Sequence, residues 1–381
     1  MIVYRGAEVF DGHDVSVTDV GVADGGIVAM GAGLDGERLV DLTGFGLLPG
    51  FVDCHVHVTV SSMDPGVLLR TPASYRILSA ARNLRRTLAA GVTTARDADG
   101  ADAGLRQAID DGLIPGPRLR IAITMLSQTG GRGDYRTASG VPLPAFPDDR
   151  PPGVVDGVEQ MRRAVRGLVA AGADVIKIAV SGSALGTDAD RAQLRDDEIA
   201  EAVAEASAAG LPVMAHAHSA EGALRAIRHG VHSIEHGSGL SDEAIAEMAD
   251  RGTWLVPTLA AGRATGDTEY ADRHVEAFRR ARAAGVRIAM GSDSGLVAHG
   301  QNLTELTALV EAGMSPCEAL TTATYAGARL LHLDERIGTL APKRQADLVV
   351  VAGGVFPVET IARRIVAVLR DGRVVAGRLP S

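Results

Sequence analysis

Along the first 46 positions apolar and polar residues alternate and are broken by short turn signals, a period-two pattern that predicts strands. Ile2 to Val9 and Val15 to Val22 read as strands around an Asp11-Gly12 turn, and Asp24-Gly25-Gly26 reads as a hairpin turn into Ile27 to Met30. The far end repeats this style, with a buried strand at Asp347 to Val351 and a hairpin, Ile365 to Leu369 and Arg373 to Val375, around Asp371-Gly372. Neither end has enough apolar surface for an independent core. Pairing them predicts one small β-sandwich domain made of residues 1–46 plus 335–381.

Between the ends the pattern changes. Short apolar runs at 48–56, 92–96, 118–124, 174–180, 212–216, 231–235, 253–258 and 286–291 predict strands. Alanine-rich stretches with helical periodicity lie between most of them: Ser74 to Ala89, Val158 to Ala170, Asp197 to Ala208, Ala220 to Arg228, Asp242 to Ala249 and Ala271 to Ala283. Eight strands alternating with helices predict an α/β fold, a (β/α)8 TIM-like barrel over 47–334. Leu126 to Gly153 is rich in Gly and Pro with no helical period, so it reads as a long loop at the carboxyl ends of the strands, where barrel enzymes hold substrates.

Composition narrows the function classes. The net charge of −9 without a basic cluster, and an aromatic fraction of 3%, argue against nucleic acid and anionic membranes as partners. No run reaches the roughly 20 apolar residues of a membrane span, and Met1 to Gly6 lacks the basic and apolar regions of a signal peptide. The two cysteines, Cys54 and Cys317, are far apart, and the first lies in a buried strand. A disulfide framework is not expected, and a reducing cytoplasm is the natural compartment. Homo-oligomer formation stays open, because barrel helices pair or remain exposed with equal ease.

The chemistry-bearing residues cluster at strand ends. His55 and His57 close the first strand, and period two turns both imidazoles to one face, half of a divalent metal site. Lys177 lies inside Val175-Ile176-Lys177-Ile178, His216 and His218 end the fifth strand, His236 the sixth, and Asp293 follows the eighth. A lysine ammonium among Ile and Val is costly to bury unless it is paired or its pKa falls. It is therefore read either as salt-bridged to a carboxylate or as an amine that has added carbon dioxide to become a carbamate bridging two cations.

These residues bring a family into view. Pro49-Gly50-Phe51-Val52-Asp53-Cys54-His55-Val56-His57, Ile176-Lys177-Ile178 with Ser181-Gly182, His216-Ala217-His218, Ser233-Ile234-Glu235-His236-Gly237 and Gly291-Ser292-Asp293 resemble the amidohydrolase superfamily. The branch is similar to Xaa-Pro and Xaa-Arg dipeptidases and related amidases. The resemblance implies a barrel with a small β-domain from both termini. It also implies that His55, His57 and Asp293 bind one divalent metal, His216 and His236 bind a second, and carboxylated Lys177 bridges them. Zinc is the usual metal of such families; the residues themselves specify only nitrogen and oxygen ligands.

The implied reaction is hydrolysis of a C–N amide bond in a small-molecule dipeptide or N-acyl amino acid by a metal-bridging hydroxide. Asp293 is the candidate to take the proton and hand it to the leaving amine. His218, on the same face as His216, is expected to hydrogen-bond the carbonyl oxygen or the substrate carboxylate. The loop Ser127-Gln128-Thr129-Gly130-Gly131-Arg132-Gly133-Asp134-Tyr135 also resembles the branch, with Gln128, Arg132 and Tyr135 as candidate substrate contacts. Many members carry histidine where Arg132 stands; an arginine there suits bidentate capture of a carboxylate. Ser183 likewise replaces a commoner glycine. His299, just past Asp293, is a further candidate.

Rival readings are a cyclic amide hydrolase resembling imidazolonepropionases, a carbamate or ester hydrolase, and a metal-free barrel that only binds ligand. The first is disfavoured by Lys177 and the last by the complete ligand set. Gly31-Ala32-Gly33-Leu34-Asp35-Gly36 spells a dinucleotide fingerprint, but no helix pattern starts there. Arg132-Gly133-Asp134 spells an adhesion tripeptide without meaning in a cytoplasmic enzyme. Arg96 and Asp97 are expected to pair with each other, and His13, His229, His232, His274 and His332 to lie at surfaces or helix ends.

Overall fold

In the computed structural model every residue is described except Met63, Ala138, 144–149, Leu185, Thr187 and Ser381. Part of the expected loop 126–153 therefore lies outside the described residues. The strands are, in chain order, β1 (Ile2–Phe10), β2 (Val15–Ala23), β3 (Gly26–Gly31), β4 (Arg38–Asp41), β5 (Phe45–Pro49), β6 (Phe51–Val56), β7 (Val92–Asp97), β8 (Arg118–Ile121) and β9 (Met125–Leu126). They continue with β10 (Ile176–Ala179), β11 (Val213–Ala217), β12 (Ser233–His236), β13 (Trp254–Val256), β14 (Arg287–Ile288), β15 (Leu348–Ala352), β16 (Ile365–Arg370) and β17 (Arg373–Gly377).

The terminal strands pair, as their alternation predicts, but in one sheet and not in two facing ones. Its order is β17-β16-β15-β5-β1-β2-β3, with β4 beside β1. Period two divides its residues between two cores. Leu47, Leu348, Val350 and Leu369 pack in the sheet's own cluster, whereas Leu48, Val349, Val351 and Val368 join the main core. Both faces of β15 are thus covered, which is why its sequence is a continuous apolar run.

The expected strand 48–56 is two strands. β5 pairs with β15 through Leu48↔Val349, and β6 starts after Gly50 and pairs in parallel with β7. A Cβ on Gly50 would lie 2.2 Å from Thr93 Oγ1, so only glycine lets the chain cross between sheets there. The apolar pattern hides this break because both pieces are buried.

The remaining strands are all parallel, in sheets ordered β6-β7-β8 and β9-β10-β11-β12-β13-β14. The expected strand 118–124 is interrupted at Ile123, whose φ of 67° no regular strand accommodates. Hydrogen bonds cross both seams between the two sheets. Asp174 N–H donates to Ile121 O (2.8 Å), and beyond β14 Cys54 N–H donates to Met290 O (2.9 Å) and Asp293 N–H to His55 O (2.8 Å).

The predicted helices occur at Ala73–Ala89, Val158–Ala170, Asp196–Ala208, Ala220–Arg228, Asp242–Arg251 and Thr268–Ala283. Ser219 and Ser241 start two of them by accepting the N–H groups of Gly222 and Ala244. Shorter helices such as Ala103–Asp110 and Thr304–Glu311 are too brief to show a helical period in the sequence. Among the described residues no helix is long and apolar enough to cross a membrane.

Candidate metal centre and active site

Strand direction puts the polar residues on one rim. β6 carries His55 near its carboxyl end with His57 just past it, β11 carries His216 with His218 just past it, and β12 ends on His236. His236 and Asp293 both have left-handed backbone, with φ of 68° and 52°. For non-glycine residues this costs on the order of 1–3 kcal/mol and is held only by surrounding structure.

Each imidazole is anchored through one nitrogen, which frees the other. His55 Nδ1–H donates to Glu235 Oε2 at 2.7 Å. His57 Nδ1–H donates to Asp99 O at 3.3 Å. His216 Nε2–H donates to Gly182 O at 2.8 Å, and His236 Nδ1 lies 2.8 Å from Thr258 Oγ1. One atom each of His55, His57 and Asp293 lies within 4.8 Å of the others, and the same holds for His216, His218 and His236. The rings of His55 and His236, 4.9 Å apart, join the two groups.

The electrostatics suit cation ligation. Burial pushes the pKa of His55 down to about 4 and holds His216 and His236 well below the usual range, leaving neutral imidazoles. Burial also pulls on His57, but its contact with Asp293 outweighs this and raises it. Burial opposes ionisation of Asp293, yet the hydrogen bond from His57 and the charges of His55 and Lys177 keep it well below the carboxylate range.

Lys177, on β10, is the test of fit. Its Nζ is buried and has no hydrogen-bond partner among the described residues. The expected alternative of a salt-bridged lysine is not what the structure shows: Lys177 makes no ion pair among the described residues, Glu235 is committed to His55 and to Arg96 Nη2 at 2.8 Å, and Asp293 faces His55 and His57. An orphaned buried amine between two ligand groups fits a centre completed by bound cations. Burial lowers its pKa to about 8.

The other sequence candidates divide. Arg132 and Tyr135 line the cavity over the metal-ligand residues, which has a volume of about 360 Å³ and walls including Val60, Leu68, Tyr75 and Leu296. Arg132 Nε is buried without a hydrogen-bond partner among the described residues. Ser183 also lines the cavity. Gln128 instead accepts the Leu194 N–H at 2.8 Å and belongs to a separate depression. His299 donates to Val60 O at 2.8 Å and lies outside the cavity walls. His218 Nδ1 lies 2.9 Å from Ser238 Oγ and 3.2 Å from Tyr270 OH, so its Nε2 is the free nitrogen.

Two expectations are corrected. Arg96 pairs with Glu235 and not with Asp97, because neighbours on a strand face opposite ways. Asp97 accepts the N–H groups of Val58 and Ala101 instead. His274 is buried in mid-helix, where its Nε2–H donates to His236 O at 2.9 Å. Sequence reasoning also missed the support around Asp53, whose carboxylate accepts Ser292 N–H (3.0 Å), Ser292 Oγ–H (2.6 Å) and an Asn302 amide N–H (2.8 Å). An aspartate two residues before His55 in an otherwise apolar run was its signal.

Comparison with known proteins agrees with this geometry. Residues 47–377 match the model of the amidohydrolase family. Ochratoxinase of Aspergillus niger is 33% identical over 308 residues, 73% of this chain; the match spans 64% of that protein's length. A solved Xaa-Pro dipeptidase with methionine bound in its active site is 30% identical with a TM-score of 0.88, covering 98% of this chain and 99% of its own. A solved prolidase in complex with N-methylphosphonate-L-proline is 32% identical with a TM-score of 0.89, covering 99% of this chain and all of its own, 100%. The family uses divalent metals, in keeping with the two ligand groups on the rim. The chain belongs to the amidohydrolase family.

Proposed function

We propose that this enzyme hydrolyses the C–N amide bond of a dipeptide or N-acyl amino acid, with two divalent cations, zinc as the resemblance implies, held on the rim. The observation that carries the reading is the buried Lys177 Nζ, without a hydrogen-bond partner among the described residues, beside two groups of three residues that could each hold a metal ion. Its amine adds carbon dioxide: a bond forms from Nζ to carbon, one N–H proton leaves to solvent, and the resulting carbamate anion faces both groups. His55, His57 and Asp293 would hold one cation and His216 with His236 the other. The fold reading that goes with this centre is a closed barrel of eight strand positions, supported by the hydrogen bonds across both seams.

The chemistry such a cation pair supplies is acidified water and a polarised carbonyl. Asp293, ionised and open to the cavity, takes the proton of the attacking water and passes it to the leaving amine. His218 Nε2–H donates to the carbonyl oxygen. Arg132, with no ion pair among the described residues, receives the carboxylate of the amino acid. The names of the relatives, a dipeptidase, a prolidase and an ochratoxinase, support an amide or peptide bond as the target.

The test is amine release from a panel of dipeptides and N-acyl amino acids by metal-loaded enzyme, with metal-stripped enzyme as control. Metal-dependent release is expected from members with a free C-terminal carboxylate. No release from any linear substrate with the metal site filled would overturn the reading in favour of cyclic amides, carbamates or esters.

A further inference from the structure

A second cavity, of about 430 Å³, opens at the opposite ends of the same strands. Pro212 and Val213 at the start of β11, His232 just before β12, Thr253 just before β13 and Arg287 at the start of β14 all border it. The catalytic side chains stand at the other ends of β11 and β12 and beyond β14, so the two cavities share strands but no walls. Neither the proposed hydrolysis nor the metal centre uses this second cavity.

Its lining is out of character for the chain. The protein carries a net charge of −9, yet the cavity is lined by Arg251, Arg287, His232 and His332 with the hydroxyls of Ser207 and Thr253, and, among the described residues, by no carboxylate. Arg251 is neutralised by Glu247 at 2.6 Å. Arg287 is not: it has no ion pair among the described residues, and its Nε is buried without a hydrogen-bond partner. Its guanidinium lies over the Trp254 ring, 4.8 Å from the centroid, and against Gly252, where a Cβ would come within 2.5 Å of Nη2. A stacked and sterically framed guanidinium is held in one orientation, with its hydrogen-bonding edge ready for a planar or tetrahedral oxyanion. Arg329, exposed and without an ion pair among the described residues, adjoins Leu330, whose carbonyl accepts from the cavity's His232 at 3.0 Å, and its charge acts on Arg287.

Two guanidinium groups with no counter-charge among the described residues leave a positive site that an anion from solution would stabilise. Two hydroxyl donors beside them add uncharged hydrogen bonds of the kind that complete phosphate sites. We propose that this cavity binds a small phosphate-bearing molecule, with Arg287 as its principal ligand and Arg329 contributing charge from beyond its walls.

The experiment is isothermal titration calorimetry of the metal-loaded full chain with inorganic phosphate and with pyrophosphate at constant ionic strength. Saturable binding is expected, weakened roughly tenfold to hundredfold in Arg287→Ala, the effect of losing one charged hydrogen-bond partner. Arg329→Ala, at an exposed position that does not endanger folding, is expected to weaken it several-fold and decides the matter if Arg287→Ala does not fold. His216→Ala, at the other end of β11, is expected to leave this binding unchanged. Absence of saturable binding, or binding lost in His216→Ala but kept in Arg287→Ala and Arg329→Ala, would overturn the proposal; the second pattern would place the phosphate on the catalytic metals.

Discussion

Glu235 Oε2 accepts the Nδ1–H of His55 at 2.7 Å, and this contact joins the rim to the interior, because the other oxygen of the same carboxylate meets Arg96 at 2.8 Å. Glu235 is therefore a positioning residue: it orients an imidazole and balances a buried guanidinium. Glu235→Gln keeps the shape and loses the charge. Metal content after dialysis, measured by mass spectrometry, should show affinity at the His55 group down by about 10- to 100-fold. Glu235→Ala strands Arg96 and should cost about 3–5 kcal/mol in urea unfolding.

Lys177→Met separates function from stability. The methionine fills the lysine's space without a group that must be desolvated, so the metal-free variant should unfold at equal or higher urea than the metal-free parent. Hydrolysis should be lost by orders of magnitude. Added short carboxylic acids, which restore an anion at that place, should rescue part of the activity. A variant equally active without them would refute a bridging role.

His218→Ala tests whether this histidine faces substrate. Metal content is expected to stay at two ions per chain, while kcat/KM falls by about 10²- to 10³-fold, the usual effect of removing a donor to a developing oxyanion. Loss of one ion would instead make His218 a ligand of the His216 group.

Arg132→Ala should raise KM for substrates with a free carboxylate by roughly tenfold to hundredfold. The corresponding C-terminal amides should be unaffected. Equal losses on both would show that Arg132 shapes the loop and does not bind substrate.

Glu305 gives a pH signature away from the metals. Its carboxyl is buried, accepts the N–H groups of Leu259 and Ala260, and has its pKa pushed up to about 8 by burial. Between the ordinary glutamate value and about 8 the folded chain holds a proton that the unfolded chain has released. Stability from this group is therefore full at low pH and falls as pH rises through that window, by up to about 1.4 kcal/mol per pH unit. Unfolding of the parent and Glu305→Gln, compared from pH 5 to 8, should show this slope in the parent alone.

The parts legible in the sequence were those where burial differs between neighbouring positions. Terminal strands alternate because one face of the sheet differs from the other, and the rim histidines stand out because they end apolar runs. The break at Gly50 was invisible because β5 and β6 are both fully covered, and alternation vanishes when both faces are buried. Pairings such as Arg96 with Glu235, and the support of His236 O by His274, join residues far apart in the chain. No local period reports them. His274 in particular reads as one more polar residue on an exposed helix until the helix is packed.

The pairing of β5 with β15 has a consequence for how the enzyme comes into being. Leu48 and its partner Val349 stand about 300 residues apart, and His55 follows β5 by only a few positions. During synthesis β1, which covers one edge of β5, and the candidate metal ligands His55 and His57 on and just past β6 emerge early, but the other edge of β5 stays unpaired until nearly the last part of the chain has been made. Such long-range closure is slow. A chain cut short before β15 would carry every candidate ligand on the rim and still lack the strand that covers the second edge of β5.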